Sequence, residues 1–166
     1  MFLNKKILAV IPARGGSKGL PRKNILSIND RPLICWTIQQ AMESKYIDRV
    51  VVSTDDEEIA KVSRNEGADI PFMRPAELAT DTARTVDVIK HLIVELNNMG
   101  DKYDVIALLE PTSPLRKEGD IDLAIEALEK DEKFDGVVTL GKYKTHPELA
   151  KTIDGNFVIQ ESLVAN

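Results

Sequence analysis

The chain has 166 residues, of which 43% are hydrophobic and 30% charged, and its net charge at pH 7 is −5. This length and composition predict one ordinary globular domain, and they exclude an internal disulfide, because Cys35 is the one cysteine, and a membrane span, because no apolar run approaches about 18 residues. Residues 1–29 hold six Lys or Arg and no acid, which favours a site for a small anion over a nucleic-acid-binding surface.

The first half of the chain alternates strand and helix patterns. Residues 7–11 form a continuous apolar run that is typical of a strand buried on both faces, and residues 49–53 form a second such run. A loop rich in Gly, Pro and basic residues occupies 13–24, and helical spacing of apolar residues follows at 33–44. Another helix is predicted at 57–66, where it ends before a glycine.

The second half continues the alternation. Strands are predicted at residues 70–73, 105–109 and 137–140, helices at 85–98 and 119–130, and a polar loop at 74–84. The Asp154-Gly155 pair within residues 151–159 predicts a hairpin. Strands that alternate with helices predict an α/β fold, a three-layer, doubly wound and mostly parallel sheet. Ligands of such sheets bind beyond the carboxyl ends of the strands, here the loops that start at residues 12, 53 and 110.

The loop after the first strand has the composition of an anion site. Its glycines, Gly15, Gly16 and Gly19, allow tight turns that expose backbone N–H groups. Four cations in the same loop suit a polyphosphate: Arg14, Lys18, Arg22 and Lys23. The glycine spacing matches neither G-x-G-x-x-G nor G-x-x-x-x-G-K-[ST], so a dinucleotide oxidoreductase is disfavoured.

Several reactive residue types have an ordinary structural explanation. Cys35 has apolar neighbours and is expected in the core, and His91 is expected to pack on its helix. Asp55 or Asp56 is expected to cap the following helix rather than to bind a metal. Asp81 could hold its loop or organise the site. No Cys/His cluster with zinc spacing occurs, and no metal ligand is assigned.

Four segments together resemble the CMP-sialic acid synthetases, also called acylneuraminate cytidylyltransferases, which include the legionaminic and pseudaminic acid enzymes. The segments are IPARGGSKGLPRKN at 11–24, VSTD at 52–55, RPAELATDTA at 74–83 and LEPTSPLR at 109–116. The resemblance implies a nucleotide-diphospho-sugar transferase-like, Rossmann-like fold. It also implies a nucleotidyltransferase activity, in which CMP passes from CTP to the anomeric hydroxyl of a 2-keto sugar acid and pyrophosphate leaves.

The resemblance also implies roles for individual residues. Arg14 and Lys23 would contact the triphosphate and act in catalysis. The nucleotide-binding set would be Ala13, Arg14, Gly15, Gly16, Ser17, Lys18, Lys23, Asn24, Arg74, Ala83 and Thr85. The sugar-binding set would be Glu110, Thr112, Ser113 and Arg116. Little covalent chemistry then falls to the protein, because positioning and cations supply most of the rate enhancement.

Glu110 departs from the family pattern, which usually has Gln at this position. An ionised Glu accepts hydrogen bonds but donates none, and it would be repelled by a sugar carboxylate. Three explanations remain open. Glu110 faces sugar hydroxyls, it helps to hold a divalent metal at the phosphates, or it marks a sugar other than N-acetylneuraminate.

The length is a second departure, since family chains usually continue for some sixty residues. Their continuation carries a late Asp-x-Asp that binds catalytic Mg²⁺ and a dimer-forming segment. We therefore expect a single nucleotidyltransferase domain, 1–166, truncated at its C-terminal end, with weak or absent turnover. Mg²⁺ is expected for the family, although its usual ligands are absent from this chain.

The sequence leaves rival functions open. One is a cytidylyltransferase for Kdo or another sugar acid, and another is a non-catalytic nucleotide-binding module. The partners implied are CTP and a nonulosonic sugar acid, with no nucleic acid and no membrane, and a homodimer by family analogy. A cytoplasmic setting is expected because the N-terminus lacks a signal-peptide pattern. The product would serve nucleotide-sugar biosynthesis for a cell-surface polysaccharide.

Overall fold

Three parallel strands form the central sheet of the computed structural model, which describes residues 4–131 and 133–140 and the backbone of 152–153 and 159–160. The strands are β1 Ile7–Pro12, β2 Ser27–Ile28, β3 Arg31–Pro32, β4 Arg49–Ser53, β5 Val105–Leu108, β6 Thr152–Ile153 and β7 Ile159–Gln160. The helices are α1 Leu33–Met42, α2 Glu57–Asn65, α3 Thr85–Asn98 and α4 Asp120–Leu128, and single 3-10 turns lie at Lys23–Ile25 and Ala76–Leu78.

β1 lies at the centre of the sheet, in the order β4-β1-β5. It pairs in parallel with both neighbours, so that Ala9 is in register with Val50 on one side and with Ala107 on the other. A strand between two others has no free edge, and the run from Ile7 to Ile11 is buried throughout. This placement explains why the run is apolar without alternation.

Helices cover both faces of the sheet. Alternate side chains of β1 belong to two separate cores, because successive residues of a strand point to opposite faces. One core joins Ile7, Ala9 and Ile11 to side chains of α1, α2 and α4. The other joins Leu8 and Val10 to Leu92 and Leu96 of α3. The predicted three-layer α/β architecture is therefore confirmed.

Two predicted strands are wrong. Residues 70–73 form no strand, and parallel pairing with β4 is limited to Asp69, whose N–H donates to the Val50 carbonyl at 2.9 Å. Pro71 follows and has no N–H for a ladder. Residues 137–140 are also not a strand, because among the described residues no neighbouring strand pairs with them, and Val138 is 64% exposed.

Other predicted elements are confirmed. The strand at Arg49–Ser53 and the helix at Thr85–Asn98 have the predicted bounds. The late hairpin is present as the antiparallel pair β6–β7, in which Ile153 is opposite Ile159. Its expected turn residues, Asp154 and Gly155, lie outside the described residues. Cys35 is buried in the core, as expected.

A short hairpin, β2–β3, was not predicted. Its two-residue turn consists of Asn29 and Asp30, both with positive φ, 52° and 61°. Asn and Asp tolerate this conformation better than most residues, and such a pair is the signature of a type I′ turn.

In the described part of the chain, no helix has both the length and the hydropathy that a membrane crossing requires.

Candidate functional site

A polar cavity of about 250 Å³ lies at the carboxyl edge of the central sheet. It is bounded by the loops that follow β1 and β5 and by the segment between Arg74 and α3. This is the edge at which the sequence predicts a ligand. The cavity brings together most of the predicted site residues, namely Arg14, Ser17, Lys23, Asn24, Arg74, Ala83, Thr85, Glu110 and Thr112.

The other predicted residues lie outside the cavity lining. Ala13 is buried beneath the loop, where its N–H donates to the Ser53 carbonyl at 2.9 Å. Gly15, Gly16 and Lys18 belong to the basic loop without lining the cavity, and Ser113 follows the lining residue Thr112. Arg116 lines a second cavity, of about 480 Å³, beside α1. There Arg116 donates to the Gln40 side chain at 2.6 Å.

The guanidinium of Arg14 is held by the segment opposite the basic loop. Its Nη1 donates to the Thr80 carbonyl at 2.6 Å, and its Nη2 lies 2.8 Å from one carboxylate oxygen of Asp81. The other oxygen of Asp81 lies 2.6 Å from Lys18 Nζ. The hydrogen bond from Lys18 and the charges of both cations hold the pKa of Asp81 below its ordinary value.

The first 3-10 turn presents Lys23 and Asn24 to the cavity. Asn24 is buried, and its side-chain amide donates to the Arg14 carbonyl at 3.1 Å. The residue therefore fixes the loop backbone next to the cation that a phosphate would meet. Arg22 starts this turn in a left-handed conformation, with φ of 55°.

Arg22 does not join the other cations of the basic loop in the cavity lining. Its guanidinium lies 2.6 Å from Glu58 and 3.2 Å from Asp56, at the start of α2. Asp56 also caps α2, as one of the two predicted capping residues, and accepts from the N–H groups of Glu58 and Ile59. The sequence argument that Arg22 faces the same anion as Arg14 is not supported by this arrangement.

Arg74 is buried at the end of β4, with 7% of its surface exposed. It donates through Nε to the Ser53 hydroxyl at 3.1 Å and through Nη2 to the Ser53 carbonyl. Its own N–H donates to the Thr54 carbonyl at 2.7 Å. Burial lowers the pKa of Arg74, and the negative charges of Asp55 and Glu110 oppose the shift. An Arg nevertheless stays cationic in proteins, so this side chain brings a fixed positive charge to the cavity wall.

Glu110 follows β5 and contributes its side chain to the cavity lining. The residue as a whole is exposed to solvent. The surrounding protein raises its pKa by burial, whereas the charges of Lys23 and Arg74 act in the opposite direction. Glu110 therefore lies near two cations and binds a proton more readily than a glutamate that is free in water.

Several lining or supporting residues were not predicted from the sequence. Leu78, Thr80 and Val88 line the cavity, and Ser53 and Thr54 anchor Arg74. Ser53 and Thr54 could have been found from their position at the end of a buried strand. Thr80 contributes a backbone carbonyl, for which the residue type gives no signal.

The acids of the cavity do not form a metal site by themselves. Asp81 and Glu110 line the cavity, and across residues 4–131 and 133–140 no group of three or more His, Cys, Asp or Glu side chains could hold a metal ion. Nucleotide-bound Mg²⁺ takes one or two carboxylates together with phosphate oxygens and water. Asp81 already pairs with two cations. The described residues therefore offer no complete metal site made of protein ligands alone, and we derive no step through a metal.

Curated relatives match most of the chain. It is 38% identical over 152 residues to the N-acylneuraminate cytidylyltransferase of Escherichia coli O18:K1:H7, covering 92% of this chain and 35% of the relative. It is 40% identical over 158 residues to the CMP-N,N'-diacetyllegionaminic acid synthase of Legionella pneumophila, covering 94% and 67%. It is 42% identical over 125 residues to a pseudaminic acid cytidylyltransferase of Campylobacter jejuni, covering 75% and 53%. The chain thus spans between about a third and two thirds of these relatives' lengths.

Solved structures and a family model agree with the sequence matches. A CMP:2-keto-3-deoxy-manno-octonic acid synthetase complexed with CTP superposes with a TM-score of 0.63 and 25% identity, over 76% of this chain and 48% of that one. A cytidylyltransferase from Leptospira borgpetersenii, at 22% identity, shares the fold with a TM-score of 0.62, over 78% of this chain and 51% of that one. The model of the family described as Cytidylyltransferase matches residues 8–162, and the chain therefore belongs to the cytidylyltransferase family.

Proposed function

We propose that the cavity binds CTP and that the protein transfers CMP to a sugar acid of the sialic acid type. The anomeric hydroxyl of the sugar would attack the α-phosphorus, a new P–O bond would form, and the bond to the β-phosphate would break. Pyrophosphate would leave with the electron pair of that bond, and the hydroxyl proton would pass to water. The observation that carries this proposal is the meeting of Arg14, Lys23 and Arg74 at one sheet-edge cavity.

The three cations match the charge that develops in this reaction. A leaving pyrophosphate gains negative charge, and pre-positioned cations stabilise it without rearrangement. Arg14 and Lys23 lie on the basic loop, whereas Arg74 lies between α2 and α3 and contacts Ser53 at the end of β4. Asn24 supports Arg14 through its backbone carbonyl. In this proposal Arg14 and Lys23 contact the triphosphate, and Ala83 and Thr85 lie nearer the nucleoside.

The sugar would lie on the β5 side of the cavity. Glu110 and Thr112 line that side, and Ser113 and Arg116 follow in the same loop. In this proposal Glu110 accepts hydrogen bonds from sugar hydroxyls, and the nearby charges of Lys23 and Arg74 offset the repulsion of a sugar carboxylate. The named relatives act on N-acylneuraminic, legionaminic and pseudaminic acids, and a solved neighbour acts on 2-keto-3-deoxy-manno-octonic acid. A nonulosonic acid is proposed first, with the latter acid as the alternative.

Mg²⁺ belongs to the proposal as the counter-ion of CTP, without ligands assigned in this chain.

We also propose a cytoplasmic homodimer that supplies an activated sugar for a cell-surface polysaccharide, as the family resemblance implies. The mass of the purified chain in solution, measured by light scattering, tests the dimer. A mass near 18.5 kDa would contradict it.

A pyrophosphate-release assay tests the proposed activity. The chain is incubated with CTP, Mg²⁺ and each of several sugar acids, including N-acetylneuraminic, legionaminic, pseudaminic and 2-keto-3-deoxy-manno-octonic acid. Sugar-dependent release of pyrophosphate with one acid above the others is expected, and that acid identifies the acceptor. Absence of release with every acid would contradict activity of this chain.

A nucleotide-binding module without catalysis is the second candidate. It requires only that Arg14, Lys23 and Arg74 meet at the cavity, since these cations can hold a triphosphate without catalysing a transfer. Calorimetric titrations with CTP, ATP and NAD separate the two candidates when they are read together with the release assay. Selective CTP binding without turnover supports the module, whereas equal affinity for all three contradicts a cytidine site.

A further inference from the structure

The carboxylate of Asp81 contacts the cations of the basic loop in the way a bound anion would. Its two carboxylate oxygens contact different cations, Arg14 at 2.8 Å and Lys18 at 2.6 Å. A phosphate group bridges two cations with two oxygens in the same way. Asp81 and Arg14 both line the cavity, and the Asp81 side chain is 37% exposed. The carboxylate is therefore at the cavity and within reach of an incoming ligand.

Both terminal nitrogens of the Arg14 guanidinium already have a partner in the free protein. Nη1 donates to the Thr80 carbonyl at 2.6 Å, and Nη2 contacts Asp81. A guanidinium binds a phosphate best through two parallel N–H donors. A guanidinium has five N–H donors, so Arg14 could also meet a phosphate elsewhere. To bridge Arg14 Nη2 and Lys18 Nζ as Asp81 does, however, a phosphate must replace the Asp81 carboxylate. The carbonyl is fixed by the backbone, whereas the Asp81 side chain can rotate away into solvent.

We propose that Asp81 is an internal counter-ion of the phosphate-binding cations, which an incoming phosphate group must displace. This inference rests on the proposed function, in which Arg14 receives the triphosphate. Asp81 offsets part of the positive charge of Arg14 and Lys18 in the free protein and ties the basic loop to the segment at 74–84. It thereby weakens the binding of phosphates and keeps the cations positioned. Displaced by a phosphate, it repels the newly bound anion and favours release of pyrophosphate.

The expected gain in phosphate affinity without Asp81 can be judged from the solvent exposure of its two ion pairs. Lys18 is 80% exposed and Arg14 is 32% exposed, so water screens both contacts. Pairs of this kind are each worth little, and their combined loss corresponds to about a threefold to tenfold gain in affinity for a competing anion. The gain should shrink as the salt concentration rises, since added ions screen exposed charges.

Calorimetric titration with inorganic pyrophosphate tests the inference in the full chain. Asp81→Asn keeps the shape of the side chain and removes its charge, and we expect it to bind pyrophosphate about threefold to tenfold more tightly. Asp101→Asn is the matched control, because Asp101 also pairs with an arginine, Arg49 at 2.6 Å, but at the opposite edge of the sheet. The control should bind pyrophosphate as the unaltered protein does.

Two further ligands separate competition from a structural role. CTP should follow pyrophosphate and bind Asp81→Asn more tightly, whereas cytidine, which has no phosphate, should bind both proteins equally. Equal or weaker pyrophosphate binding by Asp81→Asn overturns the inference, and weaker cytidine binding shows that Asp81 instead organises the segment at 74–84. Asp81→Glu keeps the charge and should keep the original affinity, which provides a second variant if Asp81→Asn does not fold.

The test stands apart from the proposed function. If the unaltered chain binds ATP and CTP equally, the cytidylyltransferase proposal fails, yet the pyrophosphate ratio between Asp81→Asn and the unaltered protein still decides the role of Asp81. If CTP is selected but the ratio does not exceed one, the role of Asp81 fails and the proposed function stands.

Discussion

The two aspartates that follow β4 have different partners. Asp55 accepts a hydrogen bond from the Gly15 N–H at 3.0 Å, and Asp56 caps α2. A Cβ added at Gly15 would lie 2.7 Å from a carboxylate oxygen of Asp56, whereas Gly16 has no heavy atom within 4 Å of such a Cβ. At this position glycine is required by the close approach of the basic loop to α2, and not by an unusual φ.

Gly15→Ala should therefore displace the basic loop from α2. We expect weaker CTP binding and a lower midpoint of thermal unfolding, because the Asp56 side chain must leave its capping position, at a cost of about 1 kcal/mol. Gly16→Ala is the matched control for packing and should leave the midpoint of thermal unfolding unchanged, because a Cβ there meets no heavy atom within 4 Å. Titration calorimetry and thermal unfolding measure both effects. Equal unfolding midpoints for Gly15→Ala and Gly16→Ala would contradict the close approach of Gly15 to Asp56.

Glu110 predicts a pH-dependent contribution to stability. Its pKa is raised, so the folded protein binds this proton more tightly than the unfolded chain, and stability falls as pH rises through the range above the ordinary glutamate pKa of 4.5. Glu110→Gln should remove this loss. At pH 7 the variant should unfold at a higher temperature than the unaltered protein, and below pH 4 the two should agree.

Thermal unfolding across pH 3 to 8 measures the difference. Glu118→Gln, at an exposed glutamate outside the lining of the Arg14 cavity, serves as the control for replacing a carboxyl by an amide. A lower unfolding temperature for Glu110→Gln at pH 7 would mean that the attraction of Lys23 and Arg74 outweighs the effect of burial.

At the scale of elements, the basic loop acts through two of its cations at the cavity. Arg14→Glu and Lys23→Glu should each abolish CTP binding, because they replace attraction for the triphosphate by repulsion. The fold should persist, since both side chains lie at an open cavity and not in either core. Lys61→Glu, on the exposed face of α2, is the control for a charge reversal elsewhere.

Titration calorimetry with CTP measures the loss, and circular dichroism checks the fold. Retained CTP affinity in both loop variants would remove the physical basis of the proposed site. Loss of affinity in Lys61→Glu as well would indicate a general effect of net charge.

Helices and strands could be predicted from the sequence wherever the pattern of neighbouring residues was sufficient to define them. The helix at Thr85–Asn98 has apolar residues at helical spacing, and β4 contains three consecutive valines. The strand predicted at residues 70–73 was wrong because Pro71 and the turn toward Arg74 outweigh the apolar pattern. The site residues on strand-end loops were found because parallel strands bring their carboxyl ends together.

The partners of the charged side chains could not be predicted in the same way. Arg22 pairs with Glu58, Arg116 with Gln40, and Asp81 with Lys18. Each partner is distant in sequence, and which one is chosen depends on side-chain rotamers that composition and spacing do not encode.

At the scale of the whole molecule, β1 supports both cores. Ile11 is fully buried next to the cavity. Ile11→Ala should lower the free energy of unfolding by about 2–5 kcal/mol, because it removes buried apolar volume that the two neighbouring strands cannot replace. Ile28→Ala, at a position that is 45% exposed, is the matched control and should cost far less. Urea unfolding measures both.

A destabilisation of Ile11→Ala that is no larger than that of Ile28→Ala would contradict the central position of β1. Since a domain is stable by only about 5–15 kcal/mol, the larger loss would leave the variant close to unfolding at 37 °C.

The order of strands in the sheet has a consequence for synthesis. Among the three strands of the central sheet, β1 is synthesised first, but its second neighbour, β5, emerges only after α2 and α3. The nascent chain must therefore hold an apolar strand with one side unpaired until β5 arrives, which is a state prone to aggregation. Since Glu110 and Thr112 follow β5 directly, the cavity is completed by the same event. Acquisition of nucleotide affinity would then report the moment at which a growing chain closes its sheet.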